Sequence, residues 1–459
     1  MEKNITNPLA TESIPKLLLK FSIPTTFTLM VSYLYNIVDQ IFVGQGVGIT
    51  GIAATNISFP FTIVCTALAL LIGDGCAANI SLCLGRREQE QADKCFGNAF
   101  SILIIFGILI VLLSSIFLKP LLLLCGATQT ILPSAIDYTK IILLGLPFMM
   151  FNVSFTAIIR CDGNPKYSMK AMIIGAVINI ILDPIFIFIF DMGVTGAAIA
   201  TILGQFVSGI ICICYIPRFQ NIVFKKQNML LKSTTIISIL SLGLPSFITQ
   251  IATACVQIVM NNLMRYYGAV TIYGSDIALS CYGTMMKVYQ IAHAMFVGVS
   301  SGTQPINGFN YGAKQYHRVR QTYFTAVIAA FVISVVWWII YQMFPAQIAG
   351  LFVNNNEENY IAFAIHCYRF YMMAFLVYGI PVVTASFFQA IGKPIKALAI
   401  SLSRQIVFLI PISVLLSKLY GLDGALLSAP IADGLTFLLA VILIIFELKY
   451  WKKQVFFSA

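Results

Sequence analysis

Long apolar stretches separated by short polar segments dominate this chain. Uncharged runs cover residues 40–73, 95–118, 192–217, 233–264 and 321–356. A helix needs about 20 apolar residues to cross a bilayer, and its backbone groups must be satisfied within the segment. The pattern therefore predicts an all-α polytopic membrane protein. We predict twelve transmembrane helices at residues 22–44, 50–73, 95–118, 131–156, 168–190, 195–217, 238–264, 272–297, 321–343, 360–386, 397–418 and 424–446.

Composition and charge agree with a membrane protein. The chain is 59% hydrophobic and 10% charged, whereas soluble domains carry about 25% charged residues. Its net charge of +11 need not indicate nucleic acid, because 21 of the 28 Lys and Arg residues fall in one alternating set of loops and three in the other. The positive-inside rule then places both termini in the cytoplasm. We expect a lipid bilayer around the chain, no nucleic-acid partner and no cleaved signal at the N-terminus.

The two halves of the sequence share landmarks in the same order, at offsets between 221 and 229 residues. A duplicated six-helix unit explains this order, and because six is even, both copies have the same orientation. Substrate sites of such parallel repeats lie between the halves. We predict an N-lobe at 1–217, a cytoplasmic linker at 218–237 and a C-lobe at 238–459. The matched residues are Pro24 with Pro245, Gly75 with Gly302, Gly85 with Gly312, Gly163 with Gly392, Pro165 with Pro394, Gly193 with Gly421 and Gly196 with Gly424.

Two acidic residues stand inside predicted spans of the first half. Asp39 in helix 1 and Asp183 in helix 5 lie at similar depth in the outer half of the bilayer, and Asn179 lies one turn below Asp183 on the same face. Tyr138 and Thr201 reach that depth from the opposite direction. Intramembrane ionisable residues usually face the interior and serve function. The alternative for each residue alone is a hydrogen bond between helices.

The second half lacks this pattern. The repeat places Ile410 opposite Asp183, and no acid opposite Asp39. Asp433 could pair with Arg404 on the adjacent helix, as a structural ion pair. Candidate substrate contacts over the whole chain are Tyr35, Asn36, Gln257, Asn261, Lys287 and Arg404.

Several segments resemble the multidrug and toxic compound extrusion (MATE) family, most closely its bacterial DinF and MepA branches. They are "YNIVDQIFVG", "LGRREQEQADKCFGNA", "RCDGNPKYSMKAMIIGAVINIILDPIFIF", "GVTGAAIAT" and "GFNYGAKQYHRV". The resemblance implies two six-helix lobes that rock between outward and inward states in the bacterial cytoplasmic membrane. It implies export of cationic, amphipathic organic compounds in exchange for protons or sodium.

The resemblance also implies roles for individual residues. By position, the cation-coupling site of the N-lobe would comprise Asp39, Asn179, Asp183 and Thr201. Tyr35 and Tyr138 would lie nearby, and Pro24 would be the point at which helix 1 bends. The C-lobe acid of the family's NorM branch has no evident counterpart opposite Asp39, which disfavours a NorM-type sodium site.

Other function classes find less support in the sequence. No G-x-x-x-x-G-K-[ST] or H-E-x-x-H motif occurs, so we expect neither an ATP-driven pump nor an enzyme. We expect no cofactor, no bound metal beyond a sodium ion at Asp39 and Asp183, and a monomer. The main alternative is a flippase or exporter of a lipid-linked saccharide or anionic metabolite, for which Lys287 and Arg404 would suit an anion. A channel or receptor would not require paired acids.

Overall fold

The computed structural model describes residues 8–47, 49–124, 132–351 and 358–457. Within these residues all regular elements are helical, which confirms the predicted all-α class. The first half contains α1 (Pro8–Thr11), α2 (Ile14–Gly46), α3 (Ile49–Gly85), α4 (Gln89–Ile116), α5 (Leu118–Leu124), α6 (Leu132–Cys161), α7 (Pro165–Pro184), a π-helical turn (Ile185–Ile189) and α8 (Gly193–Ile213). After 3-10 turns at Ile216–Arg218 and Lys226–Met229, the second half contains α9 (Ser233–Gly268), α10 (Gly274–Gly312), α11 (Tyr316–Met343), α12 (Pro345–Gly350), α13 (Glu358–Tyr371), α14 (Phe375–Ala390), α15 (Pro394–Leu402), a π-helical segment (Ser403–Leu409) and α16 (Ile410–Phe457).

Nine of the described helical segments are long and apolar enough to cross a membrane, or ten if the bent pair α13 and α14 forms one span. The segment Pro394–Lys449 counts once among them, although its 56 residues exceed one crossing and Gly421 breaks its helix with a φ of 61°. The 39-residue α10 is long enough but is more polar than those nine. With α13 and α14 counted as one span, these two segments account for the difference between ten and twelve, and the full count stays a prediction.

Two of the matched glycine pairs have a positive φ in both copies of the repeat. Gly163 and Gly392 have φ values of 97° and 77°, and Gly193 and Gly421 have values of 56° and 61°. Residues with a Cβ rarely adopt positive φ. The repeat is therefore visible in the sequence at the turns that only glycine accommodates easily.

The described chain packs as two compact units. The first compact unit comprises residues 23–247 and 308–314. The second compact unit comprises the segment up to Ser22 and residues 248–307 and 315–459. Each unit thus contains parts of both sequence halves. The compact units do not coincide with the predicted lobes, 1–217 and 238–459, because the beginning of α2 belongs to the second compact unit and the beginning of α9 to the first. The two lobes therefore stay a prediction.

The divisions between the units fall beside two matched prolines. One lies between Ser22 and Ile23, next to Pro24, and another lies just after Phe247, close to Pro245. A proline inside a helix removes one backbone hydrogen bond and permits bending. In this structure α2 stays helical across Pro24. The predicted hinge at Pro24 therefore stays a prediction, with the unit boundary as its support.

Hydrogen bonds hold the predicted linker, which belongs to the first compact unit, to Asp162 and to Asn98 of α4. The Asp162 carboxylate accepts bonds from the backbone N–H groups of Gln220 at 3.0 Å and Asn221 at 2.8 Å. The Asn98 side-chain oxygen accepts a bond from the backbone N–H of Lys232 at 2.8 Å. Buried polar side chains of the helices thus satisfy backbone donors that have no helical partner.

Candidate functional site

The face of α7 that carries Asp183 is buried along its length. Gly175, Asn179 and Asp183 recur every fourth residue, which places them on one face of the helix. Asn179 and Asp183 are both buried, and the Asn179 Nδ2 donates a hydrogen bond to Asp183 Oδ1 at 3.2 Å. The two residues therefore share one face of α7, as predicted, and are also in contact.

Two glycines bring α8 close to that face. A Cβ added at Gly204 would lie 2.6 Å from the carbonyl oxygen of Gly175, and one added at Gly175 would lie 2.7 Å from that of Gly204. Contacts this short exclude any larger side chain without a shift of the helices. The close approach lets the Asn179 Nδ2 also donate to Thr201 Oγ1, at 3.4 Å.

Asp39 joins the cluster from α2. Its carboxyl group lies within electrostatic range of that of Asp183. Tyr35 and Tyr138 lie within electrostatic range of both acids. All six residues belong to the first compact unit. The structure thus brings together Asp39, Asp183, Asn179, Thr201, Tyr138 and Tyr35, whose roles stay predictions.

Three oxygen atoms of this cluster are buried without a hydrogen-bond partner among the described residues. They are Asp39 Oδ1, Asp183 Oδ2 and Asn179 Oδ1. Leaving a buried acceptor unsatisfied costs about 1–3 kcal/mol. Carboxylate and amide oxygens can accept a proton or hydrogen bond, or coordinate a hard cation. These oxygen atoms are therefore chemically suited to bind either a proton or a sodium ion.

The backbone changes its geometry directly after the second acid. Pro184 follows Asp183, and residues Ile185–Ile189 continue α7 as a π-helical turn. π-Helical turns are rare in proteins, and those that occur are frequently found at functional sites. The proline explains part of the irregularity, because it provides no N–H for the helical ladder.

The other predicted substrate contacts lie outside this cluster. Asn36 is exposed, and its side chain donates to its own helix at Ser32 O, 2.7 Å away. Gln257 and Lys287 are exposed and Asn261 is half-buried, and these three belong to the second compact unit. Their role in binding substrate stays a prediction.

The second compact unit holds a polar cluster of its own. Arg404 Nε donates to Asp433 Oδ1 at 2.7 Å, so the predicted ion pair is present. The guanidinium carbon lies 4.7 Å from the centre of the Tyr378 ring, and the Tyr378 hydroxyl lies 2.8 Å from His293 Nδ1. Tyr289 donates to the Tyr378 hydroxyl at 2.6 Å. Sequence reasoning missed the tyrosines and the histidine, although the four-residue spacing of Tyr289 and His293 puts both on one face of α10.

Comparison with known proteins identifies the family. The family model described as MatE matches residues 24–185 and 245–415, which is most of the chain and covers both sequence halves. The chain belongs to the MatE family. The match includes both acids of the cluster, and its second segment begins at Pro245, the partner of Pro24.

Relatives and solved structures extend over nearly the whole chain. Multidrug export protein MepA of Staphylococcus aureus (strain MSSA476) is 26% identical over 94% of this chain and 93% of its own length. The MATE multidrug transporter DinF-BH, solved in complex with a ligand, is 35% identical, with a TM-score of 0.86 over 95% of this chain and 96% of that one. A crystal structure of MATE in complex with MaD3S is 25% identical, with a TM-score of 0.89 over 97% and 98%.

The family assignment and the apolar helices define the general class of this MatE protein. It is a multi-pass membrane transporter of the multidrug efflux type and not an enzyme. The predicted resemblance to MATE proteins is confirmed.

Proposed function

We propose that the chain is a secondary antiporter that exports cationic, amphipathic organic compounds by alternating access, driven by inward movement of protons or sodium. One observation carries the proposal. The carboxyl groups of Asp39 and Asp183 lie within electrostatic range of each other inside an apolar helical unit, and three acceptor oxygens of the cluster have no hydrogen-bond partner among the described residues.

The chemistry of this pair favours exchange of one cation for another. Two carboxylates in contact repel each other, and burying an uncompensated charge costs several kcal/mol. Binding of a proton, a sodium ion or a substrate cation relieves the excess negative charge. If the outward and inward states bind these cations with different affinities, then competition between the cations shifts the population of the two states.

Sodium and proton remain alternatives at this site. Sodium would use the oxygens of Asp39, Asp183, Asn179 and Thr201, which are hard ligands. A proton would use the two carboxyl groups alone. The amide and the hydroxyl therefore distinguish the two ions, since removal of both should weaken sodium coupling more than proton coupling.

Relatives support the substrate class. Curated relatives of the chain are named as multidrug export proteins, and a 35% identical protein of solved structure is described as a multidrug transporter. An acidic cluster in the first compact unit would attract a cationic substrate. The export of an anionic metabolite or a lipid-linked saccharide has less support, because Arg404, one of the two basic residues on which that alternative rested with Lys287, is paired with Asp433.

Transport by the purified protein in proteoliposomes tests the proposal. We expect flux of ethidium, an organic cation, only when an inward proton or sodium gradient is imposed. D39N and D183N should each abolish the gradient-driven flux, because each removes one charge of the pair. D423N is the matched control, since Asp423 is an acid exposed at 55% of its side chain and pairs with His366 instead. Full gradient-driven flux in both site variants would overturn the coupling assignment.

The proposed setting is the bacterial cytoplasmic membrane, with both termini in the cytoplasm and the protein acting as a monomer. The loop charges support this orientation through the positive-inside rule. Labelling of a single accessible cysteine at either terminus in intact cells tests it, because a membrane-impermeant reagent should fail to react there. Efficient labelling would contradict the proposed orientation, because it would place that terminus outside the cell.

A further inference from the structure

The polar cluster of the second compact unit has no role in the proposed coupling reaction. Its charged members, Arg404 and Asp433, are 12% and 6% exposed as side chains. Burial of an ion pair is expensive, and replacement by apolar residues is often neutral or stabilising. Packing alone therefore does not explain why an ion pair is buried among these apolar helices.

This cluster is not the repeated copy of the Asp39 and Asp183 site. The repeat sets Ile410 opposite Asp183, and Arg404 precedes Ile410 by six residues, or about 9 Å along a helix. Arg404 instead lies in the π-helical segment Ser403–Leu409, whereas the π-helical turn of the first half follows Asp183. The two clusters thus combine different residues at different levels.

Several contacts fix the Arg404 guanidinium in place. Its Nε donates to Asp433, its central carbon lies 4.7 Å from the centre of the Tyr378 ring, and Tyr289 lies within electrostatic range. An aromatic face and a carboxylate are the groups that attract a cation, whether it is free or part of a side chain. The Tyr378 hydroxyl is in turn held by His293 at 2.8 Å, which orients the ring beneath the guanidinium.

We propose that Asp433 and the aromatic groups of Tyr378 and Tyr289 form a site for a small organic cation, and that Arg404 occupies it as a cation built into the chain. The site takes guanidinium-like or ammonium-like groups. With Arg404 in place it binds no diffusible ion. The consequence for transport, which rests on the proposed antiport, is that ions exchange only at Asp39 and Asp183.

Chemical rescue of an Arg404 variant tests this site on the full-length protein. R404A removes the internal cation, and methylguanidinium is the probe that replaces it. We expect the thermal unfolding midpoint of R404A to fall below that of the wild type and to rise again, in a saturable manner, as methylguanidinium is added. The wild type, R404K and the double variant R404A/D433N should not respond, because they keep the internal charge or lack the carboxylate.

Two results would overturn the site. One is an R404A variant that is folded and indifferent to methylguanidinium, and the other is an equal response of R404A/D433N. Failure of R404A to fold both with and without the cation, while R404K folds, also counts against a site open to diffusible cations.

Transport measurements separate this inference from the proposed function. D433N should keep the ratio of ions to substrate unchanged, because Asp433 exchanges no ion, whereas an altered ratio would contradict the inference. None of these variants alters Asp39 or Asp183, so loss of coupling in D39N and D183N is judged independently.

Discussion

Substitution of Gly204 by alanine should disturb the candidate site through packing alone. The added methyl group would lie 2.6 Å from the carbonyl oxygen of Gly175, whereas ordinary contacts begin near 3.4 Å. Helix α8 must then move away from α7 by the difference, about 0.8 Å. The hydrogen bond from Asn179 to Thr201, already 3.4 Å long, would stretch to about 4 Å and be lost.

The energetic cost of G204A follows from two opposing effects. Overpacking of a well-packed interior costs about 1–3 kcal/mol. Replacement of a helical glycine by alanine recovers about 0.5–1 kcal/mol by reducing the freedom of the unfolded chain. We therefore expect a net loss of about 0.5–2 kcal/mol in the free energy of unfolding, together with reduced gradient-driven transport.

G283A provides the matched control. Gly283 also lies within a helix, α10, but a Cβ there meets no described atom within 4 Å. This variant should be as stable as the wild type or slightly more stable. Unfolding of the purified variants in detergent, followed by transport in proteoliposomes, measures both effects. Equal stability and equal transport of G204A and G283A would refute the close approach of α7 and α8.

Three further predictions concern single side chains. T201V should keep the shape of the side chain and lower gradient-driven flux, because the hydroxyl bond contributes about 1 kcal/mol; T201S should restore the flux, and equal flux in T201V would exclude a role for the hydroxyl. D162A should loosen the start of the predicted linker at Gln220 and Asn221 and speed its cleavage by a protease, while unchanged digestion would contradict the hydrogen bonds at Asp162. E447Q should destabilise the protein by about 1–3 kcal/mol, measured as a lower unfolding midpoint, because the buried Glu447 pairs with Lys393 at 2.5 Å and Lys396 at 2.7 Å. K396Q should lower the unfolding midpoint less, since Glu447 keeps Lys393 as a partner. A larger loss in K396Q than in E447Q would be inconsistent with these contacts.

The class of the fold could be predicted from the sequence because length and hydropathy decide it. A run of about 20 apolar residues without charge has few stable forms in a bilayer other than a helix. Matched glycines revealed the repeat, because positive φ at Gly163 and Gly392 favours glycine at both positions. Grouping of the chain into units was not predictable, since nothing in the residues up to Ser22 shows which half they pack against.

The candidate site was predictable in part, for the same physical reason. A carboxylate in an apolar helix is costly, so Asp39 and Asp183 stand out, and helical periodicity assigns Asn179 to the same face. The tyrosines around Arg404 do not stand out, because a chain with 20 Tyr and 35 Phe residues offers many equivalent positions. Helices apolar on all sides also give no periodic signal of which face packs inward.

Release of the coupling ion on substrate binding is the most direct test of cation exchange at Asp39 and Asp183. Purified protein in weakly buffered detergent solution is mixed with ethidium, and the change in free proton or sodium concentration is recorded. We predict release of protons or sodium by the wild type and by D423N, and none by the D39N/D183N double variant. Saturable ethidium binding by the wild type without release of either ion would contradict exchange at Asp39 and Asp183.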